Sequence, residues 1–155
     1  HPGETVHHHD LTVHAVPARH DGGRLGTGWS FRGANGYVVV SPDVTAYFAG
    51  DTGYFSGFGD IGRRLRPDVA LLPITGYEPF PLRATHMSPL DAVAAFEDLR
   101  ARVLVPIGHG AFPIGYEPLG EPLAWLEQLA AERKLGEALA VLPPGGTLTL
   151  RRRPA

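Results

Sequence analysis

The sequence predicts a mixed α/β fold, and three observations carry the prediction. Runs with strand periodicity outnumber helical ones, and the two kinds alternate in the second half of the chain. A share of 43% apolar and 19% charged residues over 155 positions is the balance of one globular domain. Twenty glycines and fifteen prolines, close to twice average usage, lie between the periodic segments and read as turns that present functional side chains. No internal repeat and no low-complexity tract stands out.

Residues 1–10 are a polar, histidine-rich lead-in. Leu11 to Val16 alternate before Pro17, the period of a strand with Leu11, Val13 and Ala15 on one face. Tyr37-Val38-Val39-Val40 and Val44-Thr45-Ala46-Tyr47-Phe48-Ala49 pair as a hairpin across Ser41-Pro42-Asp43, and the second run ends at Gly50-Asp51-Thr52-Gly53. A short helix is expected over 59–66. Val69 to Ile74, bounded by Pro67 and Gly76, is a strand buried on both faces. Ser88 suits a helix N-cap, with Pro89 in the first turn and Asp91 completing a capping-box arrangement; Ala92, Val93, Phe96 and Leu99 supply the buried stripe. Val103 to Ile107 is the next strand and leads into Gly108-His109-Gly110. A further helix spans about Pro122 to Lys134, with Leu123, Leu126, Leu129 and Ala130 on one side. Val141-Leu142 and Thr147 to Leu150 read as closing strands, followed by a basic tail over 151–155.

Composition excludes several classes. A formal charge of −2 offers no general attraction to nucleic acid or to an anionic membrane. No apolar run approaches the roughly 20 residues that cross a bilayer, and the first ten residues lack the pattern of a secretory signal. A cytoplasmic setting is therefore expected. The absence of an initiating methionine keeps an upstream piece in play. With no cysteine, thiolate nucleophiles, disulfides and cysteine-ligated zinc are out, which leaves histidine and carboxylate as the strong transition-metal ligands.

Eight histidines then become informative. His20 follows the first strand, Asp51 ends the hairpin, His109 follows the strand from Val103, and His86 lies in the loop before the capped helix. Ligands at strand ends suit a metal site, because strands fix the geometry and loops bring imidazoles and carboxylate together.

Five runs in this order carry a resemblance: Pro17-Ala18-Arg19-His20, Phe48-Ala49-Gly50-Asp51-Thr52-Gly53-Tyr54, Leu72-Pro73-Ile74-Thr75-Gly76-Tyr77-Glu78-Pro79, His86-Met87-Ser88-Pro89 and Ile107-Gly108-His109-Gly110-Ala111-Phe112. The chain resembles the metallo-β-lactamase superfamily, and within it the branch of N-acylphosphatidylethanolamine-hydrolysing phospholipase D and lactonase-like enzymes. The match runs from about Asp10 to Leu150. It implies an αββα sandwich of which this chain is the C-terminal half, the N-terminal half being absent. It also implies zinc, as one or two ions, or another divalent metal. His20, Asp51 and His109 match metal ligands, Asp51 as the carboxylate bridging two ions. Asp51 and His86 are the implied catalytic residues, His86 donating a proton or holding a substrate oxygen. In such enzymes a hydroxide shared by two zinc ions attacks a phosphorus or carbonyl centre.

The superfamily's leading His-x-His-x-Asp-His motif is missing. His7-His8-His9-Asp10 does not replace it, since Leu11 and Thr12 stand where an Asp and a His are needed; these histidines read as exposed strand residues or as incidental metal affinity. With His20, Asp51 and His109 alone, each of two ions would have about two protein ligands where catalytic zinc normally has three, so weak metal binding is expected. The resemblance implies a hydrolase of a small-molecule or lipid-like phosphodiester, incomplete as this chain. The alternatives are a lactone or ester hydrolase using the same site, and a non-catalytic half-domain that forms a homodimer or takes a complementing N-terminal half on its exposed sheet. Arg24, in the loop after His20, is a candidate phosphate grip. Tyr77 and Glu78 are candidate substrate contacts, and Trp29 and Phe31 either cover a substrate entrance or pack on the core.

Overall fold

The computed structural model describes residues 1–20 and 34–150. Six strands form one sheet in which the order across the sheet is the order along the chain. They are β1 (Thr5–His8), β2 (Leu11–Pro17), β3 (Asn35–Val40), β4 (Thr45–Phe48), β5 (Val69–Pro73) and β6 (Val103–Ile107). The first four run antiparallel, while β4, β5 and β6 are parallel. Parallel neighbours need long crossovers. Helix α1 (Gly57–Leu65) makes the first and α2 (Pro89–Leu99) the second; α3 (Glu121–Glu132) follows β6.

Alternation along the strands builds the core. Val38, Tyr47, Ala70, Leu72 and Leu104 point to one face, where Phe58 of α1, Val93 and Leu99 of α2 and Leu126 of α3 meet them, all buried. On the opposite face Val69, Val103 and Val105 form a smaller cluster with Leu142, Leu148 and Leu150. Farther along that face the cross-strand partners Tyr37 and Phe48 are 42% and 45% exposed. The observed architecture is thus one mixed sheet with one layer of helices, half of the two-sheet sandwich that the resemblance implies.

The hairpin forms as expected, with Val39 opposite Ala46 and the Ser41 hydroxyl accepting the N–H groups of Asp43 and Val44. The capping box is present as well: the Ser88 hydroxyl accepts the Asp91 N–H, and the Asp91 carboxylate accepts the Ser88 N–H at 3.0 Å. Reciprocal capping of this kind contributes about 1 kcal/mol.

Two expectations change. The polar lead-in contains a strand, β1, whose residues are all exposed. It is held at the sheet edge by its ladder and by side-chain bonds from Thr5 to His14 and from His7 to Thr12, each 3.0 Å. The closing strands do not form: residues 141–150 make no ladder. Pro143 and Pro144 bring no N–H donors to that segment. Just before it, Leu139 bridges Leu104 and the Ala140 N–H reaches the Leu104 carbonyl at 2.9 Å, and the segment then lays Leu142, Leu148 and Leu150 on β5 and β6. Arg24, Trp29, Phe31 and the basic tail lie outside the described residues.

One buried polar residue pins the far end of the parallel strands. The carboxylate of Asp68, 6% exposed, accepts the Thr45 N–H at 2.9 Å and lies 3.4 Å from Arg102, and the Asp68 carbonyl accepts the N–H groups of Arg102 and Val103. Removing a buried charged acceptor costs about 2–3 kcal/mol. Asp68→Ala is therefore expected to lower the urea midpoint by that equivalent with an unchanged slope.

Candidate metal centre

Strand direction decides where the functional side chains emerge. Because β2 is antiparallel to β3 and β3 to β4, β2 runs the same way as β4, β5 and β6. Their C-terminal ends share one edge of the sheet. His20 leaves β2, Asp51 leaves β4, the Thr75–Glu78 loop leaves β5 and His109 leaves β6 at that edge.

Short backbone links draw His20 and Asp51 together. The Arg19 N–H donates to the Thr52 hydroxyl at 2.8 Å, and the Gly53 N–H donates to the Arg19 carbonyl at 2.8 Å, so the segments bearing His20 and Asp51 are joined side by side. Thr52 is fully buried and its own hydroxyl proton goes to the Gly53 carbonyl. Next to this junction packs a 3₁₀ turn, Phe80–Ala84, whose Leu82 carbonyl accepts the His86 N–H at 2.9 Å. A Cβ on Gly53 would lie 2.5 Å from the Ala84 carbonyl oxygen, so glycine is what permits the approach.

These links bring three ligands into one group. Among the described residues, one ligand atom from each of His20, Asp51 and His86 lies within 4.8 Å of the other two. The imidazoles of His20 and His86 meet edge to face with centroids 5.1 Å apart. His86 Nδ1 is 3.1 Å from the Thr85 hydroxyl, which is also placed to donate to Leu82. Where the hydroxyl proton goes to Leu82, the Thr85 oxygen can accept from Nδ1–H, the tautomer that leaves Nε2 its lone pair. Burial first, and then the neighbouring His20, hold the His86 imidazole below the usual histidine range, which favours the neutral ring a metal ligand needs.

This donor set fits a divalent cation. Two imidazole nitrogens and a carboxylate oxygen are a common three-ligand set of catalytic zinc, and ligand atoms at tetrahedral angles on one zinc stand about 3.3 Å apart. The group would therefore close by up to about 1.5 Å around an ion.

The other expected site residues are placed as follows. His109 is half-buried at the same edge, and the Thr75 hydroxyl donates to the preceding Gly108 carbonyl at 2.6 Å, but His109 is not in the three-ligand group. His86, expected as a catalytic residue, lies in that group beside His20 and Asp51. Glu78 is half-buried in the loop after β5. Tyr77 is 2% exposed; its hydroxyl donates to Glu121 at 2.7 Å and its ring meets Trp125 edge to face, so it fastens the loop to α3.

Two contributors escaped the sequence reading. Gly76 has φ +83°, and a Cβ there would lie 2.8 Å from His86 Cδ2, so its bare Cα forms part of the seat of the imidazole. Glu117 is the other, a 7% exposed carboxylate bonded to this loop. A signal for it was present in the letters, since Gly-Tyr-Glu-Pro stands at 76–79 and again at 115–118.

Comparison with known proteins agrees with the fold. The model of the beta-lactamase superfamily domain matches residues 1–109. A UPF0173 metal-dependent hydrolase of Caldivirga maquilingensis is 36% identical over 149 residues, covering 91% of this chain and 54% of the relative. N-acyl-phosphatidylethanolamine-hydrolyzing phospholipase D 1 of Caenorhabditis elegans is 34% identical over 128 residues, 80% of this chain and 36% of the relative. Among solved structures, Igni18, described as a metallo hydrolase of Ignicoccus hospitalis, superposes with a TM-score of 0.73 at 26% identity, covering 99% of this chain and 60% of that one. The chain belongs to the metallo-β-lactamase superfamily. It spans about a third to a half of the length of the curated relatives it matches. Among the described residues no helix is long and apolar enough to cross a membrane.

Proposed function

We propose that this chain carries a metal-binding edge of a hydrolase acting on phosphodiesters. The observation behind the reading is the convergence of His20, Asp51 and His86 at the C-terminal edge of the sheet. The names of the Caldivirga, Ignicoccus and Caenorhabditis relatives favour metal-dependent hydrolysis, and the last of them favours a phospholipase D-like bond.

His20, Asp51 and His86 would hold the ion, with zinc the first candidate for this nitrogen and oxygen set. A bound divalent ion supplies Lewis acidity and lowers the pKa of water. The chain's own part is to orient. Thr85 engages His86 Nδ1, the Arg19–Thr52–Gly53 junction sets His20 against Asp51, and Gly76 backs the imidazole. His109 would help to hold a second ion together with Asp51. Arg24 and Glu78 are assigned to the substrate, Arg24 through its planar fork on a phosphate.

Bis(4-nitrophenyl) phosphate and 4-nitrophenyl acetate, offered to the zinc-loaded chain, separate the readings. Weak hydrolysis, faster on the phosphodiester and stopped by chelation, is expected of a chain that spans about half the length of its relatives. Reversed preference would move the assignment to an ester or lactone hydrolase. Zinc binding with no turnover of either would favour a second reading, association of two copies through the sheet face bearing the exposed pair Tyr37 and Phe48. Sedimentation equilibrium would then show a dimer.

A further inference from the structure

The two Gly-Tyr-Glu-Pro segments lie against each other. The Tyr116 N–H donates to the Glu78 carbonyl at 3.0 Å, and the Glu117 carboxylate accepts the Gly76 N–H at 2.5 Å and the Glu78 N–H at 3.2 Å. The copies have exchanged roles. In the first the tyrosine is buried and the glutamate half-buried, whereas in the second Tyr116 is 85% exposed and Glu117 is 7% exposed.

A buried carboxylate is costly unless hydrogen bonds compensate it, and Glu117 commits both oxygens to the loop after β5. Residues 108–120 contain no regular element, and Phe112, Ile114, Tyr116 and Leu119 are exposed. Packing of those four side chains therefore does little to hold this strap, and Glu117 joins it to the loop. His86 adjoins the same residue: a Cβ on Gly76 would meet His86 Cδ2 at 2.8 Å and Ile114 Cγ2, from the strap, at 2.9 Å. Gly76 is thus bonded to the Glu117 carboxylate through its N–H and packed against the His86 imidazole at its bare Cα.

We propose that Glu117 is a positioning residue: by holding the N–H groups of Gly76 and Glu78 it fixes the loop after β5 behind the His86 imidazole and sets the geometry of the His20–Asp51–His86 group. The inference rests on the metal-site reading given above. Glutamine at 117 has the same size, but it offers one carbonyl and one NH2 where two N–H donors point, so it cannot accept both. Glu121 provides the control, since its partner is the Tyr77 hydroxyl, which an amide oxygen also accepts.

Three measurements on this chain decide the matter: nuclear Overhauser contacts between the His86 ring and the Gly76 α-protons in the metal-free form, Zn2+ affinity by chelator competition, and thermal melting. E117Q is expected to lose the His86–Gly76 contacts and to bind Zn2+ about tenfold more weakly, the size typical of outer-sphere support, while E121Q keeps both. E117Q that melts earlier but retains the contacts and the affinity would reduce Glu117 to a structural role and overturn the inference. If E117Q fails to fold, E117D, which keeps the charge but is one methylene short, decides by the same pair of readings. Absence of Zn2+ binding by the unaltered chain would overturn the metal-site reading instead, and the His86–Gly76 contacts would still decide whether Glu117 positions the imidazole.

Discussion

Asp51→Ala is expected to abolish divalent-metal binding at the sheet edge and to leave the fold standing. Asp51 is the one carboxylate in the three-ligand group and the exposed member of it, whereas His20 and His86 are half-buried. Without it two imidazoles remain, one short of the three protein ligands that catalytic zinc normally has. Loss of an outer partner alone weakens metal sites by about 10–100-fold, so loss of a direct ligand is expected to exceed about 100-fold. Exposed positions usually change stability by less than about 0.5 kcal/mol, so the melting curve of the metal-free protein should hardly move. Chelator competition with Zn2+ and a thermal melt check both halves. Retained affinity would show that the ion sits elsewhere.

Gly53→Ala has the second-largest expected effect and reaches the site through the backbone. The added Cβ would stand 2.5 Å from the Ala84 carbonyl oxygen and 2.8 Å from its carbon. Neither neighbour yields easily. On one side the Gly53 N–H is bonded to the Arg19 carbonyl, and on the other the Leu82 carbonyl of the 3₁₀ turn accepts the N–H groups of both Thr85 and His86. Overpacking of this kind costs about 1–3 kcal/mol, which at 2 kcal/mol in a chain of this size lowers the melting temperature by about 6 °C. Since the turn carries His86, Zn2+ affinity should fall in the same variant. A lower melting temperature with undiminished affinity would separate the turn from the site.

Much of the fold was legible because apolar periodicity and turn chemistry agreed. The Tyr37–Ala49 hairpin, the buried runs at 69–74 and 103–107, and the Ser88–Asp91 cap are local features, decided within a few residues. β1 was not legible as a strand, because Thr-Val-His-His carries no buried face and is held by cross-strand bonds to Thr12 and His14. The 141–150 segment misled in the opposite sense: its leucines are spaced for packing, and two prolines remove donors a ladder needs.

In the site, His20 and Asp51 were readable as polar residues at strand ends. His86 was implied in the site by the resemblance, but its place in the three-ligand group was not readable, because it depends on how closely the 80–84 turn approaches Gly53 and on the room left beside Gly76. Glu117 was hidden for a related reason. Its partners are backbone N–H groups 41 and 39 residues away, a pairing that the repeated Gly-Tyr-Glu-Pro marks but does not explain.

Asp68 and the metal-binding edge stand at opposite ends of the same strands. Five residues of extended chain separate them by about 17 Å, well beyond the range over which substitutions couple. Changes at the two ends should add: tightening the Asp68 end raises the resistance to unfolding without touching affinity for the ion. Each end of the sheet can thus be altered, by selection or by an experimenter, without undoing what the other supplies.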